Sequence, residues 1–322
     1  MKRGTTLALA VTTSLSLFSA LAWGDESIRP AGPIGGTDIR QAELPPPGVY
    51  GVGVGMGLDF PTFWGANQDF DAQGRSGALG TGLVVVYSAQ VLGGSIGSSI
   101  FASAGRTCFG FQPGPKSCSE GLGDLYSDVF VWSRYFPSGV PASPNNPLIR
   151  YGLNVMFGLG INFPTGAYNS AQLVNLGGNM YDIAPNVALT YTAPSILGPG
   201  LGDATEFSAR VFFNNYTKNH ATDYQSGNVV SADFAITQRV NQWQFGLTGT
   251  SYLQIEDDLV AGVTAPNGGN RAVGLFLGPI VSYDFLAADR PWNVTLKGLF
   301  AVTGQNAVAA NGLVLRVATK LF

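Results

Sequence analysis

A single histidine, His220, stands with Asp223 and Ser226 inside seven residues. An imidazole, a carboxylate and a hydroxyl are the parts of a hydrolase, provided the imidazole lies within hydrogen-bond reach of the hydroxyl. Here they fall in a polar stretch with the character of a loop tip, where nothing fixes the tautomer or excludes water. A solvated loop histidine is the plainer account. Gly51–Gly57 (GVGVGMG) superficially resembles a dinucleotide loop. No helix follows and the glycines alternate with apolar residues, which suits a Gly-rich strand better. Glu256-Asp257-Asp258 has the chemistry to bind a divalent cation, but a solvated acidic loop explains it as well. Cys108 and Cys118 lie ten apart in a Gly/Pro-rich stretch and lack ligand-spaced His or carboxylate neighbours. In an exported chain that spacing suggests a disulfide closing one loop, worth roughly 2–3 kcal/mol by chain entropy. No catalytic set, metal site or cofactor is expected.

The elements that must position these residues are read from composition and period. Charged residues make up 11% of the chain, hydrophobic ones 45%, and glycine contributes 44 residues. Soluble domains carry ~25% charge. A barrel facing lipid does not need that charge, because its exterior must be apolar. No apolar run of 18 follows the N-terminal stretch, so helical spans are not expected. The net charge of −3 offers no basic stripe for a nucleic acid.

Two stretches alternate with a period of two. Tyr151, Leu153, Val155, Phe157, Leu159, Ile161 and Phe163 interleave with small or polar residues, and Trp292, Val294, Leu296, Phe300 and Val302 do the same. Ten residues at ~3.3 Å each and ~45° tilt span about 24 Å, close to the ~25 Å apolar band of an outer-membrane barrel. Similar segments fill the chain at about 49–60, 80–91, 94–104, 122–136, 150–163, 180–192, 204–216, 228–239, 242–254, 271–285, 292–303 and 312–322. The fold class is therefore all-β: a transmembrane, antiparallel, up-and-down barrel of about twelve strands over residues 49–322. With the N-terminus in the periplasm, the connections at 61–79, 105–121, 164–179, 217–228, 256–270 and 304–311 become extracellular.

The chain ends differ from the barrel. Lys2 and Arg3 precede an uncharged run from Gly4 to Ala22 that closes in Ala20-Leu21-Ala22. That is the pattern of a secretory signal peptide over 1–22. Residues 23–48 carry Pro30, Pro33, Pro45, Pro46 and Pro47 without alternation. They read as a flexible periplasmic leader or, as the sharper alternative, a plug entering the lumen. At the other end, Leu321-Phe322 closes a strand with the terminal aromatic that barrel-assembly machinery is expected to read.

From Phe212 onward the chain resembles a family of Gram-negative outer-membrane proteins linked to the meta-pathway of phenol degradation. Asn214-Asn215, Asn219–Gly227 (NHATDYQSG), Gly246, Tyr252–Asp258 (YLQIEDD), Asn270-Arg271, Gly278-Pro279 and Tyr283 carry the resemblance. Gly123-Asp124-Leu125 and Phe163–Gly166 match upstream in the same order. The family pattern tends to have Asn where His220 stands and an acidic residue where Asn228 stands. The resemblance implies an outer-membrane barrel, described as a transporter of aromatic or other hydrophobic compounds, with no catalytic site.

If apolar faces meet lipid, Arg150, Asn154, Asn162, Asp182, Asn186, Glu206, Arg210, Asp233, Gln244 and Lys297 point inward. Phe212, Tyr252 and Phe276 fall on or near the same phase and supply stacking surface for an aromatic molecule, or lumen packing. Both charge signs inside suggest paired charges across a narrow interior more than a single-sign filter. The expected partners are outer-membrane lipid and a small hydrophobic or aromatic molecule. The leading function is passive uptake of such molecules. A structural or adhesive barrel is the alternative, and a lipid-acting barrel enzyme the remotest. Mass spectrometry of the chain recovered from membranes should find a mature N-terminus near Trp23; an intact Met1 would overturn the export reading.

Overall fold

The computed structural model describes residues 38–141, 149–198 and 200–322; the expected signal peptide lies outside them. Long strands are β1 (Gly48–Trp64), β2 (Asp69–Val91), β3 (Gly94–Phe111), β4 (Ser117–Leu122), β5 (Leu125–Pro137), β6 (Gly152–Phe163), β7 (Asp182–Pro194) and β8 (Ala204–Tyr216). After the short β9 (Tyr224–Gln225) come β10 (Val229–Val240) and β11 (Trp243–Gln254). Two further short strands, β12 (Leu259–Val260) and β13 (Val263–Thr264), precede a four-residue helix, α1 (Pro266–Gly269). β14 (Val273–Ala287), β15 (Arg290–Gln305) and β16 (Ala307–Lys320) complete the chain.

Each long strand pairs antiparallel with its neighbours in sequence, and β1 pairs with β16, so the sheet closes. β4 and β5 share one place in the ring: β4 pairs with Ala104–Phe109 of β3 and β5 with Ser95–Phe101. The barrel thus has twelve strands, in the order the alternation gave. Closure leaves no open edge, which a sheet in hydrocarbon requires. No helix among the described residues is long and apolar enough to cross a membrane.

Burial runs opposite to that of a soluble protein. Leu247 is 68% exposed while its neighbour Thr248 is 1% exposed. Phe157, Ile236, Phe245, Leu253, Phe300 and Leu313 also face outward, whereas Thr190, Arg210, Asn214, Gln244 and Lys297 are buried. Near the end where β1 begins and β16 ends, Trp243, Tyr283, Phe285 and Trp292 follow one another in a row, with centroid separations of 4.5, 5.7 and 6.4 Å. Such a row matches the interfacial aromatic girdle of membrane barrels. Two-residue turns join β2 to β3 through Leu92-Gly93 and β14 to β15 through Ala288-Asp289, all four residues at positive φ. That conformation matches the twist of hairpin strands.

Three features depart from the sequence reading. First, β1, β2 and β3 run beyond the expected ends, so much of 61–79 and 105–121 is strand. At these hairpin ends the outer face carries exposed charges and the inner face a buried aromatic cluster. Charge pairs line the outside there, Arg75–Asp59 at 2.8 Å and Arg106–Glu120 at 3.8 Å, and Phe60, Phe63, Phe70, Phe109 and Phe111 pack together. Cys108 and Cys118 are Cα partners in the β3–β4 ladder and are joined as a disulfide.

Second, β1 inverts the usual polarity. Tyr50, Val52, Val54 and Met56 pack with the interior, and Gly51, Gly53, Gly55 and Gly57 occupy the outward positions. A Cβ added at Gly53 or Gly57 would meet nothing within 4 Å. Third, of the two courses open to 23–48, residues 38–44 take the one through the barrel interior; 23–37 lie outside the described residues. At the C-terminus, Leu321 N donates to Val49 O at 2.7 Å and Val49 N to Phe322 O at 3.1 Å, so pairing continues to the last residue.

Replacing Leu247 by Arg should destabilise the barrel by roughly 2–4 kcal/mol in urea refolding titrations in lipid, the cost of a cation on the lipid face near mid-membrane. An unchanged midpoint would mean that this face does not meet hydrocarbon.

Candidate functional site: the barrel interior

The interior has two chemically different walls. Strands β5–β15 turn side chains inward at every second position, as alternation demands, and many of these are polar. Residues 38–44 lie along this wall with neither helical nor ladder bonds, so their main-chain groups need side-chain partners. Three successive amides find them: Arg40 N donates to Glu206 Oε1 at 2.8 Å, Gln41 N to Ser208 Oγ at 3.0 Å and Ala42 N to Thr190 Oγ1 at 3.1 Å. Ser133 Oγ donates to Ala42 O.

Charges fix the same segment. Lys297 Nζ lies 2.6 Å from Asp38 Oδ2, both side chains 1% exposed. Arg40 and Arg239 both donate to Asp284, at 3.0 and 2.6 Å, and Asn154 Nδ2 donates to Glu43 Oε1 at 3.1 Å. Ile39 packs on Ala235 and Ile280, and Ala42 on Val131, Met156 and Ala188. The segment therefore spans from the β10–β15 side to the β5–β7 side.

A second network lies deeper. Arg210, 4% exposed, donates to Asp128 Oδ1 at 2.6 Å and to Asn186 Oδ1 at 2.8 and 3.0 Å. Its guanidinium stacks 4.6 Å over the Phe212 ring. Tyr126 donates to Asp128 Oδ1 at 2.7 Å. Burying such a pair is favourable only when its remaining hydrogen bonds are also met, as they are here.

The opposite wall, β16 through β3, is mainly apolar inside, with Arg316, Ser98 and Ser99 as polar exceptions. Between it and the segment lies a cavity of about 270 Å³. Val52, Val54, Val84, Phe101, Val131 and Met156 supply apolar lining, and Gln41, Tyr126, Asp128, Arg210 and Arg316 polar lining.

Of the inward set read from sequence, Asn154, Asp182, Asn186, Glu206, Arg210, Asp233, Gln244 and Lys297 are buried. Asn162 is half-buried and donates to Asp182 at 3.5 Å. Asp233 accepts from Thr250 Oγ1 at 2.6 Å, and Gln244 donates to Thr237 Oγ1 at 2.7 Å. Arg150 precedes β6, is exposed, and lies 4.7 Å over the Tyr135 ring. Only Arg210 of that polar set lines the cavity.

The three aromatic residues of that set pack inside the barrel. Phe212 backs Arg210 and packs with Tyr126 and Ala184, while Tyr252 and Phe276 join Trp64, Leu299 and Val314 in a separate cluster. The rings lining the cavity are Tyr50, Phe101 and Tyr126. Asp38, Arg40, Gln41 and Asp128 escaped the sequence reading. For the first three the available signal was a short polar run ahead of the prolines that precede β1.

The remaining chemistry-bearing residues sit in the far-end loops. His220 is exposed, and Ser226 donates to Met180 Sδ at 3.9 Å. Asp257 pairs with Arg271 at 2.6 Å. Asp258 is buried and accepts from Tyr224 Oη, Gly227 N and Gln254 Nε2, the last two at 2.8 and 2.6 Å. Burial pushes its carboxyl above the ordinary value. Asp258 thereby ties 217–228 to 255–272, which accounts for the NHATDYQSG and YLQIEDD stretches. Among the described residues no three His, Cys, Asp or Glu side chains converge as a metal site.

A closed twelve-stranded ring with an apolar exterior, an aromatic girdle and a polar interior defines a transmembrane β-barrel of the outer-membrane type. The sequence profile of the family described as "Putative MetA-pathway of phenol degradation" matches residues 65–317, and the chain belongs to that family. Its fold is similar to the crystal structure of an outer membrane channel from Pseudomonas putida F1. That likeness has a TM-score of 0.71 and 14% identity, over 89% of this chain and all of the other. A weaker likeness, TM-score 0.48 at 9% identity, is to the transport unit of the autotransporter AIDA-I from Escherichia coli, over 91% of this chain and 95% of that one. Among proteins of curated function, none matches the sequence.

Substituting Asp38 and Arg40 together by Ala removes both ion pairs that hold the segment and leaves Lys297 buried without its partner. Single-channel conductance in planar bilayers should rise severalfold while the barrel still folds; an unaltered conductance would show that residues 38–44 do not limit passage.

Proposed function

We propose that this barrel resides in the outer membrane and mediates passive uptake of small hydrophobic compounds, aromatic ones among them. The observation that carries the reading is the cavity bounded by Val52, Val54, Val84 and Phe101 inside a closed barrel. A water-filled pore for polar solutes has no use for an apolar wall, which strengthens no contact with a hydrated molecule. An apolar solute gains roughly 25 cal/mol for each Å² it removes from water there. Membership in a family named for phenol degradation, and a fold shared with an outer membrane channel, support the same direction. Pairing of the interior charges also fits, since Lys297–Asp38 and Arg210–Asp128 leave no single-sign ring to select ions.

Folding into the membrane would rest on barrel-assembly machinery reading the Leu321-Phe322 end, and lipid is the solvent of the outer face. No external energy is needed, because the solute moves down its gradient once consumed inside.

Deleting the gene should slow entry of a radiolabelled monoaromatic severalfold at limiting concentration, and expression of the intact chain should restore it. Equal uptake with and without the protein would count decisively against transport and favour a structural or adhesive barrel.

A further inference from the structure

The seam between β3 and β5 is incomplete. Rungs join Gly97 to Val131 and Phe101 to Tyr126, but none lies between them, and the register slips there. Opposite the same interval β5 bulges against β6: Asp128 pairs with Gly160 and Phe130 with Leu159, which leaves Val129 without a rung. Side chains bridge what the ladder does not. Ser127 Oγ donates to Ser99 O at 2.6 Å, Ser99 Oγ to Asp128 Oδ2 at 3.2 Å, and Asp128 N to Ser99 Oγ at 3.2 Å. The outer surface at this interval is apolar, with Ile100, Val129 and Phe130 at 47, 40 and 48% exposure. On the inner side, Ser99, Ile100, Phe101, Tyr126 and Asp128 border the cavity. Ile100 thus belongs to the cavity border and to the outer surface alike.

We infer that an apolar solute leaves the cavity sideways, through the β3–β5 interval into membrane hydrocarbon, and not along the lumen past the inserted segment. This rests on the uptake reading and gives it a route. Parting two strands elsewhere in the ring would strip continuous backbone pairing in a solvent that replaces none of it. Here three side-chain bonds need to loosen, and all three run through Ser99. Asp128 keeps Arg210 and Tyr126 when Ser99 lets go, so opening leaves no charge uncompensated. The other way is harder. Ile39, Gln41, Glu43 and Leu44 of the inserted segment bound the same cavity. Moving that boundary separates Lys297 from Asp38 and Arg40 from Asp284, and buried charges that lose their partners are costly. An apolar solute also gains nothing from a polar passage, whereas hydrocarbon keeps it out of water.

The test follows N-phenyl-1-naphthylamine, a neutral apolar dye that fluoresces on reaching hydrocarbon, into intact cells that lack the chromosomal copy and express one form of the chain. Ser98 and Phe130 are the next positions beyond the Gly97–Val131 rung. Ser98→Cys with Phe130→Cys, oxidised and the bond confirmed by mass spectrometry, ties the interval shut. Dye entry should slow severalfold while single-channel conductance stays at the wild-type value. Reduction should restore entry, and the wild type, which carries Cys108–Cys118, controls for the reductant. The protein with Asp38→Ala and Arg40→Ala should conduct more without a matching rise in dye entry. Entry at the wild-type rate through the tied barrel, or entry that rises in step with conductance when the segment is released, overturns sideways exit and leaves uptake standing. Dye entry no faster with the wild-type chain than without it removes the uptake reading along with this one.

Discussion

Hydrocarbon accepts no hydrogen bonds, and every part of this architecture answers to that fact. On the outside it forces the ladder to close, so β1 must reach β16 and the twelve strands must form a ring. It also forces the side chains apart by polarity, leaving Leu247 outside and Thr248 within. The same requirement recurs inside for residues 40–42, which have no strand to pair with. Glu206, Ser208 and Thr190 take their amides one by one. An interior insert is possible only because the neighbouring strands present side-chain acceptors to its amides.

How much of this was legible depended on whether a residue's environment was set by its near neighbours. β6 and β15 announce themselves, because one face meets lipid throughout and the other never does. The far-end extensions of β2 and β3 read as loops, since charges such as Asp71, Arg75 and Arg106 interrupt the apolar face; those charges mark water, not the end of a strand. Asp128 was hidden by a bulge. The β5–β6 register shifts between Asp128 and Phe130, so the inward phase changes parity midway along β5. Residues 38–44 left no periodic trace, because their partners are scattered from Ser133 to Lys297 and no regular element organises them.

The interior then divides by task. The polar wall, β5 to β15, holds the inserted segment and cancels charge in pairs. The apolar wall, β16 to β3, is left free to meet whatever occupies the cavity. Arg210 belongs to both, anchored through Asp128 and Asn186 yet lining the space. The far-end loops are organised separately around Asp258, so their packing does not draw on the lumen network.

The glycine row on β1 has a bearing on the thickness of the wall. Around most of the circumference, a path from the interior to lipid crosses the backbone and then a layer of outward side chains. At Gly53 and Gly57 that outer layer is missing, and no neighbouring side chain comes within 4 Å of where it would start. The same strand furnishes Val52 and Val54 to the cavity. At Gly53 and Gly57 the outer side of the wall is bare peptide, while Leu321 and Leu79 cover Gly51 and Gly55.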